Sequence, residues 1–138
     1  MVTEKALIFS NAQAITTSGA TNSTNTIDTE VAASNLGGGT VLWLVVRVNT
    51  TFVEIVSGSE TLDVQLQNSA TSGGTYVKIA SGYLFSGREC VKGLDLLTTP
   101  LPVDNLRYLK VVYTTTTGSG WTAGNVDAFI TLNAPKNP

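Results

Sequence analysis

The sequence predicts an all-β protein, a two-sheet antiparallel β-sandwich, and three observations carry that prediction. Thr, Val, Ser and Gly dominate while Ala-, Lys- and Glu-rich runs are scarce, a balance that suits pleated strands joined by polar turns. Several segments alternate apolar and polar residues with a period of two, so that one face of each can be buried. These segments recur at the spacing of roughly 8–12 residues usual for a sandwich or barrel, which gives about eight short strands and no credible helix. Long connections between them favour crossing from sheet to sheet, hence a jelly-roll or Greek-key topology.

The whole chain sets further bounds. A length of 138 residues is expected to form a single domain, 1–138, large enough to bury roughly two-thirds of the surface its unfolded form exposes. Hydrophobic residues make up 42% and charged residues 13% of the chain, far from a disordered composition. A formal net charge of -2 supplies no field that would collect nucleic acid or an anionic membrane, so neither is expected as a direct partner. There is no histidine, which removes the usual general acid-base near neutral pH and the commonest transition-metal ligand. Cys90 is the one cysteine, so no intramolecular disulfide can form and the core must hold the fold. No long apolar run follows the N-terminal residues, and synthesis in a reducing cytoplasm without a leader or membrane span is the expectation.

In chain order, the apolar residues 6–9 and the resumption at 13–16 suggest an edge strand broken by a turn or bulge at Ser10-Asn11. Residues 17–26 are nearly all Thr, Ser, Gly, Ala and Asn, and a loop or arm is expected across 11–26 because few large side chains could anchor it. Ile27 opens the next short strand. The glycines at 37–39 read as a turn, since a phosphate cradle needs a following helix and usually a lysine. Residues 41–48 are almost continuously apolar, as in a strand covered on both sides.

After Asn49-Thr50-Thr51, residues 52–56 form a second apolar segment. Residues 61–67 alternate cleanly, with Leu62, Val64 and Leu66 inward, and pair through the 68–74 turn with 76–80 as a hairpin. Residues 81–92 read as a connection between the sheets, and 93–97 as a further strand. Pro100 and Pro102 end ladder pairing there. Residues 107–113 are the central strand, with Leu109, Val111 and Tyr113 inward. Through Gly118-Ser119-Gly120 they are expected to pair with 125–132, whose inward set is Val126, Ala128, Ile130 and Leu132. Residues 134–138 form a loose tail.

The search for chemistry finds little. The carboxylates of Glu54, Glu60, Asp63, Asp95, Asp104 and Asp127 stand singly, without the paired spacing of an acid-base couple or a metal cage, and no cofactor is expected. The many hydroxyls have no histidine to activate them. A lowered pKa for Cys90 beside Arg88 and Lys92 is conceivable, though a bystander thiol is the simpler reading. Sequons at Asn22 and Asn49 are chance matches in a Thr-rich chain when no leader is expected.

Two aromatics invite a binding role. Trp121, on a glycine-rich tip, is either a plug over the open end of the sandwich or an exposed anchor for a partner. Phe129 falls outward with Asp127 and Thr131 if Val126, Ala128, Ile130 and Leu132 face in, and beside the outward residues of 41–48 it would make an apolar patch suited to assembly; a slipped register is the alternative.

Residues 7–16, residues 62–69, Leu101-Pro102 leading into 107–113, and the return 122–126 together resemble the small jelly-roll cement proteins of tailed-bacteriophage capsids. The resemblance follows family order and covers most of the chain, but it is a similarity of pattern without a catalytic signature. It implies a non-enzymatic decoration protein on the outer capsid surface of the virion. Such a protein would bind the phage major capsid protein, associate with itself as a dimer or trimer, and clamp adjacent capsomers. The capsid-facing candidates are Asn11 and Gln13 in the 11–26 arm and the tip around Trp121. Arg47, Arg88 and Arg107 are candidates to pair with capsid or sister-subunit carboxylates, and Phe129 is a further contact. The alternative is a carbohydrate-binding or host-attachment module using aromatics such as Trp121 and Tyr83.

Overall fold

Alternation of apolar and polar residues becomes ten strands among the described residues: β1 (Ile8–Ala14), β2 (Gly19–Asn22), β3 (Ile27–Ser34), β4 (Trp43–Glu54), β5 (Thr61–Ser69), β6 (Val77–Ser81), β7 (Phe85–Ser86), β8 (Asp95–Pro100), β9 (Asn105–Thr115) and β10 (Trp121–Thr131). The structure, a computed structural model, describes residues 7–16, 19–34, 42–54, 60–101, 105–115 and 120–131, with the side chains of 30–34 and 105 outside that description. The expected turn at 37–39, the tail at 134–138, Asp104, Pro102 and Leu132 lie outside the described residues.

The strands form two antiparallel sheets, one ordered β1-β10-β4-β8 and the other β2-β9-β5-β6. β3 continues the β2 edge along β9, and β7 continues the β6 edge along β5. The ten segments therefore occupy eight strand positions, and the chain passes between sheets at every step except the β5–β6 hairpin, which is the jelly-roll order. The sandwich expected from the composition is this fold.

Three expectations change. First, β9 and β10 do not form a hairpin: β9 pairs with β2, β3 and β5, while β10 pairs with β1 and β4 in the opposite sheet. The inward sets are as expected, but Leu109, Val111 and Tyr113 meet Val126, Ala128 and Ile130 face to face across the core rather than side by side. Second, the 11–26 arm is stitched into both sheets. Residues 11–14 belong to β1 and 19–22 to β2, Ile15 is buried in the core, and buried Ser23 bonds β9 twice, its N–H donating to Val111 O (2.7 Å) and its Oγ accepting from Val111 N–H (3.1 Å). Short hydroxyl side chains satisfy the backbone where the edge changes from β2 to β3, so a polar composition is compatible with pairing. Third, residues 43–54 form one strand, and Asn49-Thr50-Thr51 is a bulged region opposite β10 rather than a break.

The core runs through both sheets, and polar links cross it. Ser10 Oγ and Tyr113 Oη lie 2.8 Å apart between β1 and β9; burial holds the Tyr113 phenol well above its usual pKa range, the hydrogen bond to Ser10 works against that rise, and the charge of Asp127 adds to it. Gln13 accepts from Ser10 Oγ (2.6 Å) and from Thr24 N–H (2.9 Å), and donates to Asn22 O (2.9 Å). It is a staple between β1 and the β2–β3 link.

One end of the sandwich is closed by Trp121, which is 2% exposed. Its ring meets Phe52 edge-on, with centroids 5.0 Å apart and planes at 85°, and its Nε1 donates to Thr115 Oγ1 at 3.0 Å. Gly124, at φ +150°, permits the approach: a Cβ there would lie 2.5 Å from the Phe52 ring. Trp121 is thus the plug, and the anchor reading is overturned. An indole with a satisfied N–H gains more from burial than from solvent.

Candidate functional site

The register of β10 with its two neighbours builds the outer face of the four-stranded sheet row by row. Phe129 stands opposite Ile8 of β1 and Val45 of β4; Thr131 stands opposite Trp43; Asp127 stands opposite Arg47, which in turn stands opposite Asp95 of β8. Side chains on one face of an antiparallel pair touch across the strands. The result is an apolar centre of Ile8, Phe129, Val45 and Trp43 with a charged row along one side. Val45 is fully buried although it lies outside the core cluster, because Trp43, Arg47 and Phe129 surround it in the register. The near-continuous apolar run at 41–48 reflects this: its inner residues enter the core and its outer ones form this surface.

The charged row is fixed in place. Arg47 Nε donates to Asp95 Oδ1 at 2.6 Å, and that bond, together with the charges of Asp95 and Asp127, holds the guanidinium protonated more firmly than usual against partial burial. Asp127 accepts from Asn49 Nδ2 (3.0 Å) and from the backbone N–H of Ala12 (2.6 Å). The second bond clamps a bulge in β1 in which Ala12 takes φ +48°. The bulge pushes exposed Asn11 out beside Phe129, and a shallow cleft of about 190 Å³ opens between Ile8, Ser10, Asn11, Asp127 and Phe129.

Of the residues singled out in the sequence, Asn11, Arg47 and Phe129 are brought together here. The others are elsewhere. Gln13 is the internal staple and Trp121 is buried. Arg107 lies on the other sheet, where its Nε and Nη2 donate to the Asp28 carboxylate at 2.7 and 3.0 Å, and its guanidinium lies 5.1 Å from the Tyr108 ring centroid. Arg88 is exposed on the 3-10 turn Gly87–Glu89, beside a separate cleft lined by Phe52, Val53 and Glu54. Ile8, Trp43, Asp95 and Asp127 complete the face and were not singled out as contacts. For Trp43 the parity signal was present, since it shares the outward set of Val45 and Arg47, whereas the pairing of Asp95 and Asp127 around Arg47 depends on a register that spans the whole chain.

Among the described residues no group of three or more His, Cys, Asp or Glu is arranged to hold a metal ion. The Cys90 thiol is buried, and burial first, then the charges of Glu89 and Glu54, push its pKa up to about 12, the reverse of an activated thiolate. Among the described residues, no helix is long and apolar enough to cross a membrane.

No curated protein matches the chain. The sequence model of the Bbp16 family matches residues 9–130, from within β1 to one residue before the end of β10. The bulge at Ala12 and, apart from Ile8 and Thr131 at the two ends, both sheets and the outer face built on Phe129 lie within that span, and the chain belongs to the Bbp16 family.

Proposed function

We propose that this chain is a non-enzymatic cement protein of a phage capsid, which binds the outside of a shell of major capsid protein and reinforces it by bridging capsomers. The observation that carries the reading is the outer face of the β1-β10-β4-β8 sheet. Half-buried Phe129, Trp43 and Ile8 at its centre and Arg47, Asp95, Asp127 and exposed Asn11 at its margin have the anatomy of a protein interface, an apolar middle within a polar rim. The pattern resemblance to small jelly-roll cement proteins supports the same reading.

The mechanism is passive. Each copy adds contact area across a capsomer boundary, and copies repeated over a symmetric shell sum modest local energies into large resistance to internal pressure. A rigid sheet face suits that role because little ordering entropy is lost when it docks. The protein acts as a dimer or trimer, without direct contact to nucleic acid or membrane, on the virion surface after synthesis in the host cytoplasm.

The test is uptake by stripped capsids. The wild-type chain decorates them at fixed stoichiometry, and Phe129→Glu weakens uptake by roughly thirtyfold or more, the effect of losing an interface hot spot worth about 2 kcal/mol. Capsids that take up no protein, or that take up Phe129→Glu as readily as wild type, would refute the reading.

A further inference from the structure

On the side of the sandwich away from β1, the end strands of the two sheets, β6 with β7 and β8, border a cleft of about 440 Å³. Sites for small ligands span roughly 300–1,000 Å³. Tyr83 stands at its rim, 83% exposed, with its ring braced edge-on by Phe85 (centroids 6.4 Å apart, planes at 83°). Asp95 and Thr98 of β8 and Ser81 at the end of β6 are among the residues that line it.

We propose that this cleft binds a short neutral oligosaccharide, with the Tyr83 ring as stacking platform and Asp95, Thr98 and Ser81 as hydrogen-bond partners. A pyranose ring presents a face of C–H groups and a rim of hydroxyls. An exposed aromatic face takes the former through its negative quadrupole, and a carboxylate with neighbouring hydroxyls takes the latter. Asp95 is oriented for this by Arg47, whose Nε lies 2.6 Å from Oδ1 and offsets its charge. Among the described residues that line the cleft there is no Lys or Arg, and Arg47 is already paired with Asp95, so nothing there would hold an acidic sugar and the ligand is neutral.

The cleft is preformed. Gly82 N–H donates to Val64 O at 3.1 Å, and a Cβ at Gly82 would lie 2.6 Å from Leu96 O, so the two sheet edges approach more closely than any side chain there would permit. A site that needs no rearrangement spends little binding energy on ordering itself.

A glycan array of neutral and acidic oligosaccharides tests this, followed by amide chemical-shift titration of the full chain with the array hits and, in every case, with maltotriose and cellotriose. Neutral ligands shift the amides of residues 81–85 and 95–99, whereas a hyaluronan tetrasaccharide does not. Tyr83→Ala weakens binding about tenfold or more while Tyr83→Phe, which keeps the stacking face, stays within about twofold. Both variants melt with the wild type, since the ring is solvent-exposed. Silence from the array and both trisaccharides overturns the proposal, as does undiminished binding by Tyr83→Ala. Capsid uptake separates it from the cement reading: Tyr83→Ala decorates shells normally if the cleft takes sugar. Loss of uptake without any glycan shift would overturn the sugar in favour of a protein occupant.

Discussion

Trp121 and Phe129 stand at opposite ends of the same strand, and one is sealed in the interior while the other faces outward. Their numbers differ by an even step, so in an unbroken strand their side chains would share a face. The ladder between β10 and β4 shifts register between Trp121 and Ala123, between Ala123 and Asn125, and again between Asn125 and Val126. Gly124, with its φ of +150°, sits within this irregular stretch. Beyond Val126 the alternation is regular, and Asp127, Phe129 and Thr131 keep the outer face. Bulges thus turn one aromatic into a structural plug and leave the other on the outer face, although the two lie on one strand an even number of residues apart.

The contrast can be broken most severely at the buried end. Trp121→Ala removes a filled ring and orphans its hydrogen-bond partner, and should cost about 3–5 kcal/mol in a denaturant melt. A loss below about 1 kcal/mol would show that the indole does not hold that end closed. Phe129→Glu, by contrast, should cost less, about 1–2 kcal/mol, because the ring is only half-buried and covers Val45 from one side. Gly124→Ala comes next. Its methyl group would meet the Phe52 ring at 2.5 Å in a backbone conformation that L-residues avoid, and overpacking of this kind costs about 1–3 kcal/mol.

The smallest effect is pH-dependent and belongs to the same end, where Cys90 O accepts from Phe52 N–H. The folded-state thiol pKa is raised from 9.0 to about 12, so the folded form holds its proton more tightly than the unfolded chain does. Its contribution is fully present below about pH 9 and is lost as pH climbs towards 12. Stability measured across that window should fall more gently in Cys90→Ala than in wild type. Identical slopes would mean that the thiol is not sealed.

Much of the architecture was legible because alternation reports directly on burial. Leu62, Val64 and Leu66, Leu109, Val111 and Tyr113, and Val126, Ala128 and Ile130 are all core residues as expected from their period. The β5–β6 hairpin was legible too, since the polar, glycine-bearing loop after 61–67 leads directly into a second strand-like segment, although the loop is long. Neighbour identity was not. Two strands with apolar faces can lie side by side or stack across a core, and the period of two is the same in both cases, which is why 107–113 and 125–132 looked like a hairpin.

Of the candidate face, Phe129 and the outward residues of 41–48 were visible through parity alone. Asn11 joins them only because β1 lies along β10, and Asp127 becomes a clamp only because the bulge at Ala12 points an N–H at it. The polar segment after Asn11 looked loose because no large side chain anchors it, yet its backbone groups find partners on β9.

The sequence by itself determined that this chain is all-β, that it has no histidine, and which residues of each regular strand are buried, because period and composition are local properties. The tertiary structure alone decided which strands are neighbours, where bulges reverse the facing of a side chain, and so which aromatic is a plug and which a surface. Those outcomes depend on backbone hydrogen bonds between segments as distant as Ile8 and Phe129, and no local pattern encodes them.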